Sequence, residues 1–165
     1  MRRLLFVVLA ALFSSAIAAA LAQHSHHPAQ GHGAGPAPRT PPADTREFVR
    51  FPQPLVEHTL ANMRDHLLAL QEIQEHLGMG HPDVAARIAE TRLGMSALGQ
   101  HGAHEVAPYM PEGMRAAGTA MHRAASQFAI TATDSAVTGD TRAVFTGLAT
   151  ITAACVACHA GYRLK

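Results

Sequence analysis

The spacing of apolar residues after Asp44 is the feature that most constrains the fold, because these residues recur at steps of three or four. This spacing places side chains on one face of an α-helix. Ala, Leu, Met, Glu and Arg, which favour helix, occupy most other positions. The first such stretch covers residues 54–77, and its apolar face comprises Val56, Leu60, Met63, Leu67, Leu70, Ile73 and Leu77. We therefore expect helices rather than strands.

A second helix is predicted to begin near Asp83, after Gly78 and Pro82 interrupt the first, and to end near Gly99. Its apolar face would comprise Val84, Ile88, Thr91, Met95 and Leu98. Glycine and proline recur in residues 100–111, which are therefore predicted to form a connecting loop.

A third helix is predicted to start near Pro111, a residue that is tolerated in a first helical turn. Its buried face would comprise Met114, Met121, Ala125 and Phe128. Asp140 is expected to cap a fourth helix. Its apolar face comprises Val144, Leu148, Ile151, Cys155, Cys158 and Tyr162. Four amphipathic helices with mostly short connections predict an all-α fold, an antiparallel four-helix bundle.

The N-terminal segment has the pattern of a secretory signal peptide. Arg2 and Arg3 precede an uncharged apolar run, and Ala22 completes a small-x-small cleavage pattern. We predict a signal peptide over residues 1–22, export to a periplasm, and no stable membrane insertion after cleavage. The run is also about long enough to span a bilayer, so an uncleaved anchor is the alternative.

Residues 23–44 are rich in His, Pro and Gly and are predicted to be a flexible linker before a domain over residues 45–165. The linker contains four histidines, His24, His26, His27 and His32. Their imidazoles suit Zn, Cu or Ni, although incidental histidines on a soluble tether are the simpler interpretation. Loss of the signal peptide leaves 11 basic against 12 acidic side chains, a balance that offers no surface for nucleic acid.

The five residues from Cys155 to His159 form the C-x-x-C-H pattern of covalent c-type haem attachment. On a helix they share a face, so both thiols can bond the haem vinyl groups while the imidazole points at the iron. A disulfide here would close too small a loop to stabilise much, and zinc would need further ligands. A redox pair would need a βαβ context. We therefore predict one haem c bound through Cys155 and Cys158, with His159 as an axial ligand.

The closing segment CVACHAGYR is similar to the haem-binding end of the cytochrome c-prime family, the class II c-type cytochromes, in which the motif lies near the C-terminus of the last bundle helix. The likeness covers about residues 48–165, and residues 110–128 resemble the start of the third family helix. Many relatives have Trp where this chain has Met121, and the chain contains no Trp. The resemblance implies a four-helix bundle with one covalently bound haem.

The same resemblance implies the second iron ligand. The segment TLANMRDH, residues 59–66, looks similar to the methionine-ligated, low-spin members and places Met63 over the distal face of the haem. By periodicity alone Met63 would simply be a core residue, and His66, one turn further on, is the competing ligand. Arg163 follows His159 by four positions. On a continuing helix it would lie over the imidazole side of the haem, pair with a propionate, or favour the helix C-terminus.

Haem held by His159 and Met63, with no acid, base or nucleophile arrangement in view, predicts an electron carrier rather than an enzyme. Its partners would be periplasmic redox proteins. One alternative is a five-coordinate haem protein that binds nitric oxide or carbon monoxide. Another is a metal-binding protein that uses the linker with His101, His104, Met110 and Met114, since imidazole and thioether suit copper. Family members often pair as homodimers, which the resemblance leaves open.

Overall fold

The computed structural model describes residues 43–164, so the signal peptide and nearly all of the predicted linker lie outside the described residues. Residues 43–165 group into one compact unit. The α-helices and β-strands are β1 (Glu47–Val49), α1 (Gln53–Gly78), α2 (Pro82–Ile88), α3 (Ala103–Val106), α4 (Glu112–Thr138), α5 (Thr141–Gly161) and β2 (Tyr162–Leu164). A π-helical turn at Ala89–Leu93 and 3₁₀ turns at Met95–Ala97 and Ala107–Tyr109 connect them. The described part of the chain is mostly helical, as the all-α prediction requires.

α1 has nearly the predicted length, but its buried face differs from the predicted one. The buried residues are Val56, Thr59, His66, Ala69 and Ile73. Leu60 and Leu67 are exposed, and Met63 and Leu70 are only half-buried. α1 is held mainly by α2 and the π-helical turn and makes few close backbone contacts with α4 or α5. Part of its apolar surface therefore stays uncovered.

The predicted second helix is not continuous, so that prediction is wrong. α2 ends at Ile88 and passes through the π-helical turn, and the backbone at Gly94 is extended. Glu90 stabilises the break, because its side chain accepts the backbone N–H of Ser96 and its carbonyl accepts the Ser96 hydroxyl. Rather than the predicted stripe, the segment buries Leu93 and four small residues, Ala85, Ala86, Ala89 and Ala97. Small side chains allow it to lie close to α1 and α4.

α4 and α5 form an antiparallel hairpin with the most extensive contact in the described fold. The predicted face of α4 is confirmed, since Met114, Met121, Ala125 and Phe128 are all buried. Asp140 caps α5 as predicted, because its Oδ1 accepts the backbone N–H of Ala143 at 3.1 Å.

The expectation that strands are absent is wrong. β1 and β2 pair in parallel, with Phe48 opposite Arg163. α5 ends at Gly161, so Arg163 lies on a strand and not on the continuing helix that the sequence suggested. Val49 and Phe51, next to this pair, are buried in a second apolar cluster with Val56, Val106 and Met114, at one end of the helices. The strand pairing therefore places β1, at the start of the domain, beside β2, the segment that follows the Cys-x-x-Cys-His motif.

Candidate cofactor site

The two cysteines predicted to bind haem are free thiols, one helical turn apart on α5 and half-buried. Cys155 packs against the main core cluster, the larger group of buried residues that includes Ile73 of α1, Met121 and Phe128 of α4 and Ile151 of α5. Cys158 packs against the second cluster beside Met114. Burial raises the pKa of both thiols, and the charge of Cys155 raises the pKa of Cys158 further. A nucleophilic or disulfide-exchanging cysteine needs a lowered pKa. The environment therefore suits protonated thiols held beside an apolar surface.

His159 follows Cys158 on α5 and is exposed. Positions 155 and 159 are four residues apart, so the imidazole emerges one turn beyond the first thiol on the same face. Its backbone carbonyl accepts a hydrogen bond from Arg46 at 3.5 Å. The imidazole is therefore accessible to a group that lies outside the protein core.

An apolar surface adjoins the motif on α5. Phe145 is 59% exposed and Val156 is 61% exposed. With Leu148 and Thr152 they line an open groove of about 690 Å³, and Gln74 of α1 also lines it. This surface was not among those predicted from the sequence, although positions 145, 149, 152 and 156 also repeat at steps of four and three.

α5 is also the one helix within residues 43–164 that is long and apolar enough to cross a membrane, judged by length and composition. Only 17% of its most apolar stretch is buried. A helix this apolar in a packed domain normally turns most of its surface to the core. The uncovered side faces the groove, so α5 lacks an apolar partner there.

The face of α1 that carries Met63 continues the open region. A second groove, of about 520 Å³, is lined by Leu67, Leu70 and Gln74 together with neighbouring polar residues of α1. Gln74 borders both grooves, so they adjoin. Met63 lies four residues before Leu67 on the same helix face and is half-buried. The uncovered stripe of α1 and the uncovered side of α5 therefore border one another.

Met63 lies level with the cysteine pair along the helices. Val56 near the start of α1 shares the second apolar cluster with Met114 near the start of α4. Ten residues further along α1, the ring of His66 lies 6.2 Å from the ring of His122 of α4, centroid to centroid. Because the later residues of both helices also meet, α1 and α4 run in the same direction. The stretch of α1 between those two points contains Met63. The matching stretch of α4 contains Met121, which belongs to the cluster that Cys155 packs against, whereas Cys158 packs beside Met114.

His66, the competing ligand, occupies a different environment. It is buried on the inner face of α1, and its ring lies 4.6 Å from that of His101, centroid to centroid. The structure thus separates the two candidates, with Met63 on the accessible stripe and His66 among other imidazoles.

Arg163, predicted to contact a propionate, is held by its own surroundings on β2. Its guanidinium carbon lies 4.8 Å from the centre of the Phe48 ring, and its Nη1 lies 3.4 Å from Oδ2 of Asp44. Hydrogen bonds from Arg46, with a smaller contribution from Arg163, hold the pKa of Asp44 below its usual range. The buried Nε of Arg163 has no hydrogen-bond partner among the described residues. One donor of this arginine is thus left for another group.

The four residues of the predicted copper set lie in different surroundings. His101 lies beside His66, and His104 is exposed. Met110 and Met114 instead pack in the second apolar cluster. The linker histidines of the same hypothesis lie outside the described residues.

Comparison with protein-family models, curated proteins and solved structures finds no match for this chain.

Proposed function

We propose that this chain is a periplasmic c-type cytochrome, a four-helix bundle that carries one electron at a time through a single covalently bound haem. The observation that carries the proposal is the arrangement on α5. Two half-buried free thiols and an exposed imidazole follow the Cys-x-x-Cys-His spacing, and Val156, between the two thiols, lines an uncovered apolar groove. The proposed export rests on residues 1–22 alone.

The residues fit a haem. Cys155 and Cys158 would bond the porphyrin, His159 and Met63 would hold the iron, and the Nε of Arg163 would be available to a propionate. The uncovered groove of α5 supports this assignment, since Val156 of the motif lines it and a large apolar group attached at the motif would remove part of it from water. Haem, when bound, supplies an iron that accepts and donates one electron.

The residues of the chain would set the properties of that iron. A methionine ligand tends to raise the reduction potential, and apolar neighbours such as Leu67, Leu148 and Val156 would limit the access of water to a bound haem. Redox partners would dock transiently over a small patch near an exposed edge of the groove. A homodimer is an additional hypothesis, which the exposed apolar residues of α1 would accommodate.

The first experiment is the visible spectrum of the purified protein, oxidised and reduced, with and without carbon monoxide. We expect low-spin spectra, a methionine-to-iron charge-transfer band and no response to the gas. The matched control replaces both Cys155 and Cys158 by serine and should carry no covalent haem. Absence of haem absorbance in the natural protein would overturn the proposal. A high-spin spectrum that shifts with carbon monoxide would instead support the gas-binding alternative.

A second experiment separates the two candidate iron ligands. Met63→Ala should abolish the charge-transfer band and open the iron to carbon monoxide, because it removes the thioether from the accessible stripe. Leu67→Ala, one turn along the same stripe, is the matched control and should keep the band. If His66→Ala abolishes low-spin ligation and Met63→Ala does not, the assignment of Met63 is wrong.

A further inference from the structure

Three histidine rings that the proposed haem site does not use meet at one place in the fold. His66 comes from α1, His101 from the segment before α3, and His122 from α4. Their ring centroids are separated by 4.6 Å for His66 and His101, 5.4 Å for His101 and His122, and 6.2 Å for His66 and His122. They are far apart in the sequence, so only the tertiary structure brings them together.

Two of the three rings are deeply buried, and two nitrogens of the cluster lack hydrogen-bond partners among the described residues. His66 is 8% exposed and His122 is 7% exposed. The Nε2 of His66 and the Nδ1 of His101 are buried without any partner among the described residues. A buried nitrogen without a partner costs free energy, and native structures seldom leave one so unless it serves another purpose.

The third ring has a fixed orientation. The Nδ1 of His122 lies 2.7 Å from the backbone carbonyl of Leu93, and only a protonated nitrogen can donate to that oxygen. The proton is thus on Nδ1, which leaves a lone pair on Nε2. Metal-binding histidines commonly show this arrangement, in which one ring nitrogen donates to a carbonyl and the other binds the ion.

The loop that carries His101 is also fixed. The side chain of Asn62 donates to the His101 carbonyl at 3.0 Å and lies 3.2 Å from Nε2 of His58. Gly102 has a left-handed φ of 61°, and a Cβ there would lie 2.8 Å from the same His58 nitrogen. Only glycine fits this close approach without strain. The backbone therefore holds His101 against α1.

Neutral imidazoles are the form that binds metal ions. Burial, helped by the neighbouring imidazoles, lowers the pKa of His66 to about 4. Burial also lowers the pKa of His101. The nearest acid on α1, Asp65, is held by Arg92, whose charge Glu72 also balances.

We propose that His66, His101 and His122 form a binding site for a divalent transition-metal ion of the zinc class. Imidazole nitrogens at about 2.0–2.1 Å from a tetrahedral ion would put the ring centroids about 5 Å apart, close to the observed separations. As the side chains stand, no group of three His, Cys, Asp or Glu residues in the described range is set to hold a metal ion. The rings of His66 and His101, whose buried nitrogens have no hydrogen-bond partner, must therefore turn about their side-chain bonds to converge on the ring of His122. Three protein ligands leave a fourth position for water.

The test is zinc binding by the full, haem-loaded chain after treatment with a chelator, measured by titration calorimetry and by metal content. The linker histidines could bind zinc as well, so the measurements use a full-length background in which His24, His26, His27 and His32 are replaced by serine. We expect one zinc ion per chain in this background, and a melting temperature that rises with zinc concentration.

Two variants in that background test the ligands. His101→Asn, the less buried position, should weaken zinc binding by about tenfold or more, and His122→Gln should do the same. His104→Asn, three residues further on in α3 and exposed, is the matched control and should bind like the background. Absence of zinc binding in the background, or unchanged affinity in the folded His101→Asn and His122→Gln proteins, would overturn the proposal. The haem spectrum should not change in either variant, which separates this result from the proposed electron transfer.

Discussion

Replacement of Gly147 on α5 tests how tightly the α4–α5 hairpin is packed. A Cβ at this position would lie 3.3 Å from Cδ2 of Phe128 and 3.7 Å from its Cα. Carbon atoms at optimal separation are about 3.5–4.0 Å apart. Phe128 is fully buried, so its ring cannot move into solvent to relieve the contact. The residue lies two turns before Cys155, which separates this contact from the Cys-x-x-Cys-His motif.

Two opposing effects determine the result for Gly147→Ala. Alanine in a helix interior is favoured over glycine by about 1 kcal/mol. Overpacking a rigid core costs about 1–3 kcal/mol. The net prediction is a loss of about 1 kcal/mol of unfolding free energy in the natural sequence. In a Phe128→Leu background, where the ring is gone, the same substitution should be stabilising by about 0.5–1 kcal/mol.

Urea unfolding followed by far-UV circular dichroism measures all four members of this cycle. Ala120→Gly, at an exposed position of α4, gives the glycine-to-alanine difference without a packing effect and should lose about 1 kcal/mol. If Gly147→Ala is equally stabilising in both backgrounds, the close contact with Phe128 does not constrain the hairpin and the reasoning is refuted.

The remaining predictions concern polar contacts, and each is measured by urea unfolding. Asp140→Ala should lose about 1 kcal/mol, since its carboxylate accepts a backbone N–H of the first turn of α5. Arg92→Leu should lower the unfolding free energy by about 1–3 kcal/mol, because it leaves Asp65 and Glu72 facing each other without a cation. The control Arg87→Leu, which breaks an exposed ion pair, should change the unfolding free energy by less than about 0.5 kcal/mol. Hydrogen bonding to Arg92 lowers the pKa of Asp65. This stabilising contribution is complete above the unfolded pKa near 3.8 and is lost as the pH falls below it, so Arg92→Leu should lose less stability on acidification than the natural protein.

The hairpin and the motif show where local pattern was sufficient. The face of α4 from Met114 to Phe128 repeats with few interruptions, and the structure buries each of its predicted residues. The Asp140 cap depends only on its own first helical turn, and it is present. The Cys-x-x-Cys-His motif lies on a helix, as its proposed chemistry requires. Covalent haem and the role of Met63 remain predictions.

Other predictions failed because they depended on distant partners. Periodicity gave α1 an apolar stripe wider than one neighbour can cover, and contacts with α2 and the π-helical turn determined which part of it is buried. The second helix is interrupted at Gly94, where contacts between Glu90 and Ser96 replace helical hydrogen bonds. Arg163 belongs to a strand because β1, more than a hundred residues earlier, pairs with the end of the chain.

The sequence by itself determined the elements whose information is local: the helices, the cap of α5 and the spacing of two thiols and an imidazole. Only the tertiary structure decided which surfaces stay uncovered beside those thiols, and that His66, His101 and His122 meet. The reason is physical. Hydrogen bonds and side-chain periodicity within a helix act over a few residues, whereas burial depends on which segments pack together across the whole chain.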